Sequence, residues 1–472
     1  MKKNLIKLVL CVMVLSVFLI MPDVVNAKSG KGYNIRNTFS GTIRFEIKVK
    51  KYDRNQDGYL SKGEIKKIKS LYLEEYQNTS VKGLSKLKYL KKITIKAQRA
   101  VYHIKEVEKL HGLEDIHIKV EPERKLVFDL RKFRKIRKLA VEFESEEGVI
   151  KIRKNNKIKY LNLYGVKNSV SIANKCLRAK KICIEINTKK GNLLLRNRKN
   201  LKLLSLSCAK NINKMDIQNC AKLEKVKFSE CKSTSCTIEN NPKLQFIKMY
   251  DVKVPNLIIK SLKGLKWINI DEARISKFSL NELDNLKQIK LYDAKGLTNL
   301  TISNFPKLWN LEVCRVPDLQ SFTVENLKNL KQMSCVGGKV TELNIVGYHK
   351  LKKVEVHNNR LKTFAYENLK NVRYLNISKN QIEGRFDFTL YPKLYDFDCS
   401  NNRISEIYGG PLNREIGYIN CSNNNMKLLH FTELDKYAGY IFYVNCKNNP
   451  DIEVHAWMED YDSDPTANIP YH

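Results

Sequence analysis

Apolar residues return along this 472-residue chain in one short phrase, Leu-x-x-Leu-x-Leu or a close variant, every 21 to 23 residues. Clear copies are Leu265-x-x-Ile268-x-Ile270, Leu286-x-x-Ile289-x-Leu291, Leu308-x-x-Leu311-x-Val313 and Leu351-x-x-Val354-x-Val356. Counted from Ile68 there are eighteen, and only the last step, from Ile416 to Ile441, stretches to 25 residues. A period in this range predicts a leucine-rich repeat solenoid. In an extended segment alternate side chains face the same way, so the last two apolar positions of each phrase point into the core. One such strand cannot bury its apolar side alone. Eighteen of them stacked at roughly 4.8 Å give a curved parallel sheet on the order of 80–90 Å long.

Many units carry a second, shorter apolar beat about 14 residues in, such as Met215-x-Ile217, Phe278-x-Leu280, Leu300-x-Ile302 and Phe364-x-Tyr366. It predicts short extended or 3-10 segments closing the convex side, with little helix. The last five units place Asn359, Asn380, Asn402, Asn424 and Asn449 at the ninth position of the phrase. A buried Asn there can bond the turn backbone of its own and neighbouring coils. Earlier units put Ala209, Cys231, Val252, Ala273, Ala294, Val316 or Gly338 in that slot, so the upstream coils are expected to be less regular.

Ahead of the repeats, Asp53-Arg-Asn55-Gln-Asp57-Gly58-Tyr59-Leu60-Ser61-Lys-Gly-Glu64 matches a twelve-residue EF-hand loop. Oxygen donors fall at positions one, three, five, nine and twelve, Gly58 permits the sharp turn, and Tyr59 offers its carbonyl. The spacing wraps hard oxygens of Asp53, Asn55, Asp57, Tyr59, Ser61 and Glu64 around one structural Ca²⁺. The competing explanation is a polar Asx turn between two helices. Because the loop stands where a solenoid needs an end cap, it reads as a structural clip.

Residues 1–27 have the layout of a secretory signal peptide: Lys2, Lys3 and Lys7, an apolar stretch from Leu8 to Met21, and Val25-Asn26-Ala27 as a small-residue cleavage site. Later stretches are not apolar enough to span a bilayer, and the sequence carries no Leu-Pro-x-Thr-Gly sorting signal. The expectation is a protein that is secreted, with or without association to the cell surface. The division expected is a signal peptide at 1–27, a cap at 28–67, repeats at 68–450 and an acidic C-terminal cap or tail at 451–472. Cys335, Cys399, Cys421 and Cys446 fall at the last core position of the phrase. They read as stacked buried thiols, with a disulfide network suited to an oxidising exterior as the alternative.

With its leader, EF-type cap and 22-residue rhythm, the chain resembles secreted leucine-rich repeat proteins of Gram-positive bacteria, the internalin-like group above all. Leu394-Tyr-Asp-Phe397-Asp-Cys399-Ser-Asn-Asn402-Arg-Ile404 carries the likeness most clearly. The resemblance implies a helical EF-hand-like cap and a concave sheet face that binds a protein, as in adhesion or host interaction.

The formal charge of +37 favours anionic partners. Anionic cell-wall polymers and acidic glycans fit an exported protein, whereas nucleic acid does not. Basic residues peak at 151–200, with fifteen Lys or Arg against one Glu. The pleat assigns to the concave face the residues two, four and six places after each first Leu. One run of that face is aromatic with interspersed charge: Phe246, Lys248, Tyr250, Trp267, Asn269, Asp271, Gln288, Lys290 and Tyr292. Aromatics among lysines are typical interface anchors, although they also pack against one another along a sheet. Tyr160 and Tyr164 form a smaller cluster, and Tyr374, Tyr418 and Tyr443 a recurring line. No phosphate-binding Gly-rich loop, nucleophile elbow or His-Glu-x-x-His site occurs, and carboxylate pairs such as Asp396 and Asp398 lack a partner acid. The expected function is non-enzymatic binding.

Overall fold

The computed structural model describes residues 32–455 except 77, 121–126, 145–147, 155, 186–190, 210–211, 346–347, 365–368, 410–415, 432–442 and 450–451. The candidate leader 1–27 and nearly all of the acidic tail lie outside these residues. Each of the eighteen phrases forms one strand of a single long parallel sheet, from Ser70–Glu75 to Tyr443–Asn445. The register keeps equivalent positions of successive coils side by side: Ile247 beside Ile268, Ile289 and Leu311, for example. Inward residues such as Ile268 and Ile270 are no more than 1% exposed. The chain is a parallel β-solenoid with few helices, and no helix among the described residues is long and apolar enough to cross a membrane.

The cap grows from the same core. Helix Gly41–Val49 buries Ile43 and Ile47, and these join Phe39, Leu60 and Ile65 in one cluster with Leu71 and Leu73 of the first strand. Strand Tyr59–Ser61 pairs antiparallel with Gly32–Asn34, which ties the loop before it to the chain's described start. Helix Lys62–Lys67 begins at a capping box formed by Ser61 and Glu64.

The second wall is extended, as expected, and more regular than isolated short segments. From Gly191 to Glu325 it is built of strands of five to seven residues, five of them hydrogen-bonded in parallel from Gly191–Arg196 to Lys277–Asn281 and two more at Asn299–Ser303 and Ser321–Glu325. In this stretch the phrase is written twice per coil. Ile275, Phe278 and Leu280, or Leu297, Leu300 and Ile302, repeat the Leu-x-x-Leu-x-Leu spacing on the far side. The repeating unit is thus a half-coil of strand plus corner. A residue of positive φ marks every corner, 10 or 11 residues apart from Asn197 to Gly337. Most corner N–H groups reach the next coil, as Glu230 does to Tyr250 O at 2.9 Å and Asn304 to Glu325 O at 3.1 Å.

The expectation that coils lacking the asparagine would be less regular is therefore corrected for this stretch. Their corners are satisfied by backbone pairing that runs on past the strand, as Val252 beside Ala273 shows. Cys231 adds a thiol bond to Leu206 O and Ser229 O at 3.6 and 3.2 Å. In the last coils the main strands shorten to three residues, as at Asp396–Asp398, the corner N–H groups still reach the next coil, and the asparagines add further bonds. Asn402 Nδ2 donates to Ile377 O, Cys399 O and Ser400 O, while its Oδ1 accepts the Ile382 N–H at 3.0 Å. The described cysteines are all free thiols.

Candidate functional site

Register brings the nine face residues together on three adjacent strands. Phe246, Trp267 and Gln288 form one row, Lys248, Asn269 and Lys290 the next, and Tyr250, Asp271 and Tyr292 the third. The pleat turns all of them away from the core, and each is half-buried or exposed. Tyr160 and Tyr164, at 42% and 39% exposure, stand six strands before the strand of Tyr292 and outside this group.

Several partners that hold these side chains come from one coil further on or from the corners. Tyr250 donates its hydroxyl to Glu272 Oε1 at 2.9 Å. Tyr292 does the same to Glu312, whose other oxygen takes Lys290 Nζ at 3.0 Å and Asn310 Nδ2 at 2.7 Å. Arg315 lies over the Tyr292 ring at 5.6 Å while its fork grips Asp293 at 2.8 and 2.6 Å. Hydrogen bonds from that guanidinium hold the Asp293 carboxyl below the usual aspartate range. Glu272, Asp293 and Arg315 are all corner residues of positive φ, so the corners plant charge at the rim of the face. Lys266 Nζ sits 5.5 Å from the Trp267 ring. Glu312 was reachable by carrying the face rule one coil onward. The corner residues were not, because positive φ breaks the alternation on which that rule depends.

Searches of solved structures return solenoids of similar extent. An internalin of Listeria monocytogenes shares 13% identity over 85% of this chain and 94% of its own, with a TM-score of 0.29. YopM of Yersinia enterocolitica shares 14% over 91% and 96%, with a TM-score of 0.40. The InlJ domain of Listeria monocytogenes shares 14% over 82% and 84%, with a TM-score of 0.38. No protein-family model matches the chain, and no curated protein does. The functional reading therefore rests on the molecule's own geometry.

The tyrosine line of the last coils is interrupted. Asp396 stands between Tyr374 and Tyr418 in register, and Tyr418 stacks on Tyr443 at 5.1 Å with rings 2° apart. Asp398, beside it on the face, uses Oδ1 to accept the Ser400 N–H at 2.9 Å.

At the N-terminal loop Asp53, Asn55 and Asp57 are held about a tight turn. Gln56 and Gly58 have positive φ, and the Gly58 N–H donates to Asp53 Oδ2 at 3.1 Å. Asp57 Oδ1 accepts the Tyr59 N–H at 2.8 Å, and Asn55 Nδ2 donates to Asp57 Oδ2 at 2.9 Å. Leu60 is fully buried and pins the loop. Glu64 is drawn to backbone donors instead: Oε1 accepts the Arg54 N–H at 2.8 Å, and Oε2 the Ser61 N–H and hydroxyl at 2.9 and 2.7 Å. Among the described residues no three His, Cys, Asp or Glu side chains converge as a ready metal cluster. Asp53 Oδ1 is buried with no hydrogen-bond partner. Burial, opposed by the Gly58 N–H and reinforced by the charges of Asp57 and Glu64, pushes the Asp53 carboxyl upward.

Proposed function

We propose that this is an exported, non-enzymatic binding protein that recognises a protein ligand on the open face of its long sheet. Phe246, Lys248, Tyr250, Trp267, Lys290 and Tyr292 form the centre of that surface. The observation that carries the reading is the locked state of its anchors. Tyr292 is held by Glu312 below an Arg315 guanidinium, and Tyr250 is held by Glu272. An aromatic anchor already fixed in place loses less side-chain entropy when a partner covers it, and such anchors carry most of the energy in protein interfaces. Trp267→Ala with Tyr292→Ala should weaken capture of a protein partner by about 100-fold or more. Tyr160→Ala with Tyr164→Ala, outside the group, should change it less than about 3-fold. Equal capture by the parent and the first variant, with circular dichroism unchanged, would sink the assignment.

Calcium belongs to the same reading as a structural clip. Asp53, Asn55, Asp57, Ser61 and Glu64 would hold the ion together with the Tyr59 carbonyl, and Ca²⁺ would neutralise the carboxylates crowded there. The unpartnered, buried Asp53 Oδ1 fits an oxygen left for a cation. Filling the site at 100 times Kd adds about 2.7 kcal/mol to stability. A melting temperature that climbs by a few degrees with Ca²⁺ in the parent, and not in Asp53→Ala, is the expected result. A parent protein indifferent to Ca²⁺ removes the clip. Attachment to an anionic wall polymer or acidic glycan is the second reading, favoured by the charge of +37.

A further inference from the structure

Away from the open face, the turn that returns each coil from the second wall to the long sheet carries charge unevenly. Its apolar residues fall three apart, as Ile104, Val107 and Leu110 do in one coil and Leu130, Phe133 and Ile136 in the next, and all are buried. In so tight a turn residues three apart share a side, so the pairs between them, Arg131-Lys132 and Arg134-Lys135, are turned outward and exposed. Side chains of three successive coils line an open cleft of about 1300 Å³ here.

Six of the lining cations, Lys105, Lys132, Arg134, Lys135, Arg153 and Lys154, form no ion pair with the described residues. The two acids of the cleft are already engaged. Asp129 takes Arg131 Nη2 at 2.6 Å, and hydrogen bonds from that guanidinium hold its carboxyl down to about 2. Glu108 Oε1 accepts the Asp129 N–H at 2.9 Å. Later coils treat the same turn differently. Lys307, Lys350 and Lys393 each donate to an asparagine of the preceding coil, Asn285, Asn329 and Asn371, at 2.6, 2.6 and 3.1 Å. The upstream cations have no such acceptor.

We infer that this cleft docks a linear phosphate polymer that carries no bases. Like charges crowded on one surface repel and oppose compactness, and an anionic ligand would relieve that repulsion among the six. The Arg134 and Arg153 forks match paired phosphate oxygens, and the lysines act as point charges between them. The identity of the polymer follows from what the cleft omits. Single-stranded nucleic acids and sugar rings are held on aromatic platforms beside the cations. Among the described residues no Phe, Tyr or Trp lines this cleft, and the one ring among them, His111, is set edge-on against buried Phe133 at 5.6 Å. Charge is the feature left to be read, and a flexible chain of phosphates presents it densely. This site gives the anionic-polymer reading an address separate from the protein-binding face.

Inorganic polyphosphate is the probe, titrated into the full chain at about 50 and about 200 mM salt. Affinity should fall by on the order of 1000-fold across that range, as neutralising six phosphates implies. Lys132→Gln/Arg134→Gln/Lys135→Gln should weaken binding about 10-fold or more at the lower salt, and Arg153→Gln/Lys154→Gln should act in the same direction. Lys307→Gln/Lys350→Gln/Lys393→Gln, on the same edge, should change it less than about 2-fold. Equal losses in the two triple variants would mean diffuse charge and overturn the site, as would no loss in a folded cleft variant. Tighter binding of single-stranded DNA or polygalacturonate than of polyphosphate overturns the ligand class. Trp267→Ala/Tyr292→Ala should bind polyphosphate as the parent does, so that the face and the cleft stand or fall separately.

Discussion

The coils from Gly191 to Val336 and those from Leu351 to Asn449 solve one problem in two ways. Both must satisfy the backbone where the chain leaves the long sheet at a residue of positive φ. The middle coils do it with main chain: strands on both walls and corner N–H groups bonded to the next coil, with Ala, Cys or Val filling the slot behind. The last coils keep the corner bonds, as Asn401 N–H to Ser422 O at 2.9 Å shows, but shorten the strand and add one buried amide per coil. The lesson concerns where sensitivity to mutation sits. A ladder of many backbone bonds tolerates loss of any one side chain, whereas the asparagine ladder concentrates several bonds in one residue.

That contrast can be broken in order of severity. Asn402→Ala removes the donor shared by three carbonyls and strands the Ile382 N–H. At about 1–3 kcal/mol for each buried group left unsatisfied, partly relieved by water, a loss of about 3 kcal/mol is expected in urea unfolding. Cys231→Ala, in the equivalent slot of a middle coil, removes only weak thiol bonds and a small volume. Its expected cost is about 1 kcal/mol; a cost equal to that of Asn402→Ala would erase the distinction. The smallest effect belongs to Asp396. Burial, and then the charge of Asp398, raises its carboxyl above the ordinary value of 3.8. A raised carboxyl means that the fold holds the proton more tightly than the unfolded chain, so stability declines as pH climbs from 3.8 through the folded value. Asp396→Asn should melt slightly above the parent at pH 7 and level with it at about pH 3, measured by a pH series of melting curves.

The main sheet was legible because each coil spells three inward positions at a fixed spacing, and eighteen phrases became eighteen strands. The second sheet was half legible. Met215 and Ile217 stood out, yet Ile212 three residues before them completes the same phrase and betrays a half-coil of 10 or 11 residues. Coils earlier than Gly191 obscure it, with a two-residue strand Val101–Tyr102 running into a 3-10 segment at Ile104–Lys109, and a helix at Ser169–Lys175. The open-face aromatics followed directly from the pleat. Their partners did not, because Glu272 and Arg315 stand at corners, where the chain has left the strand conformation. The cation cleft overlaps the charge peak at 151–200 only at Arg153 and Lys154: residue counts add every lysine in a window, whereas the fold collects cations from coils about 22 residues apart.

The doubled wall of the middle coils has a mechanical meaning. A repeat solenoid curves when one wall advances by a longer step than the other. Between Gly191 and Asn281 both walls are ladders of paired strands, each advancing about 4.8 Å per coil. Bending that stretch would lengthen one set of hydrogen bonds and compress the other, as bending a beam strains its two flanges. Phe246, Trp267 and their neighbours therefore ride on a span braced by two ladders, at a pitch that a partner must accept.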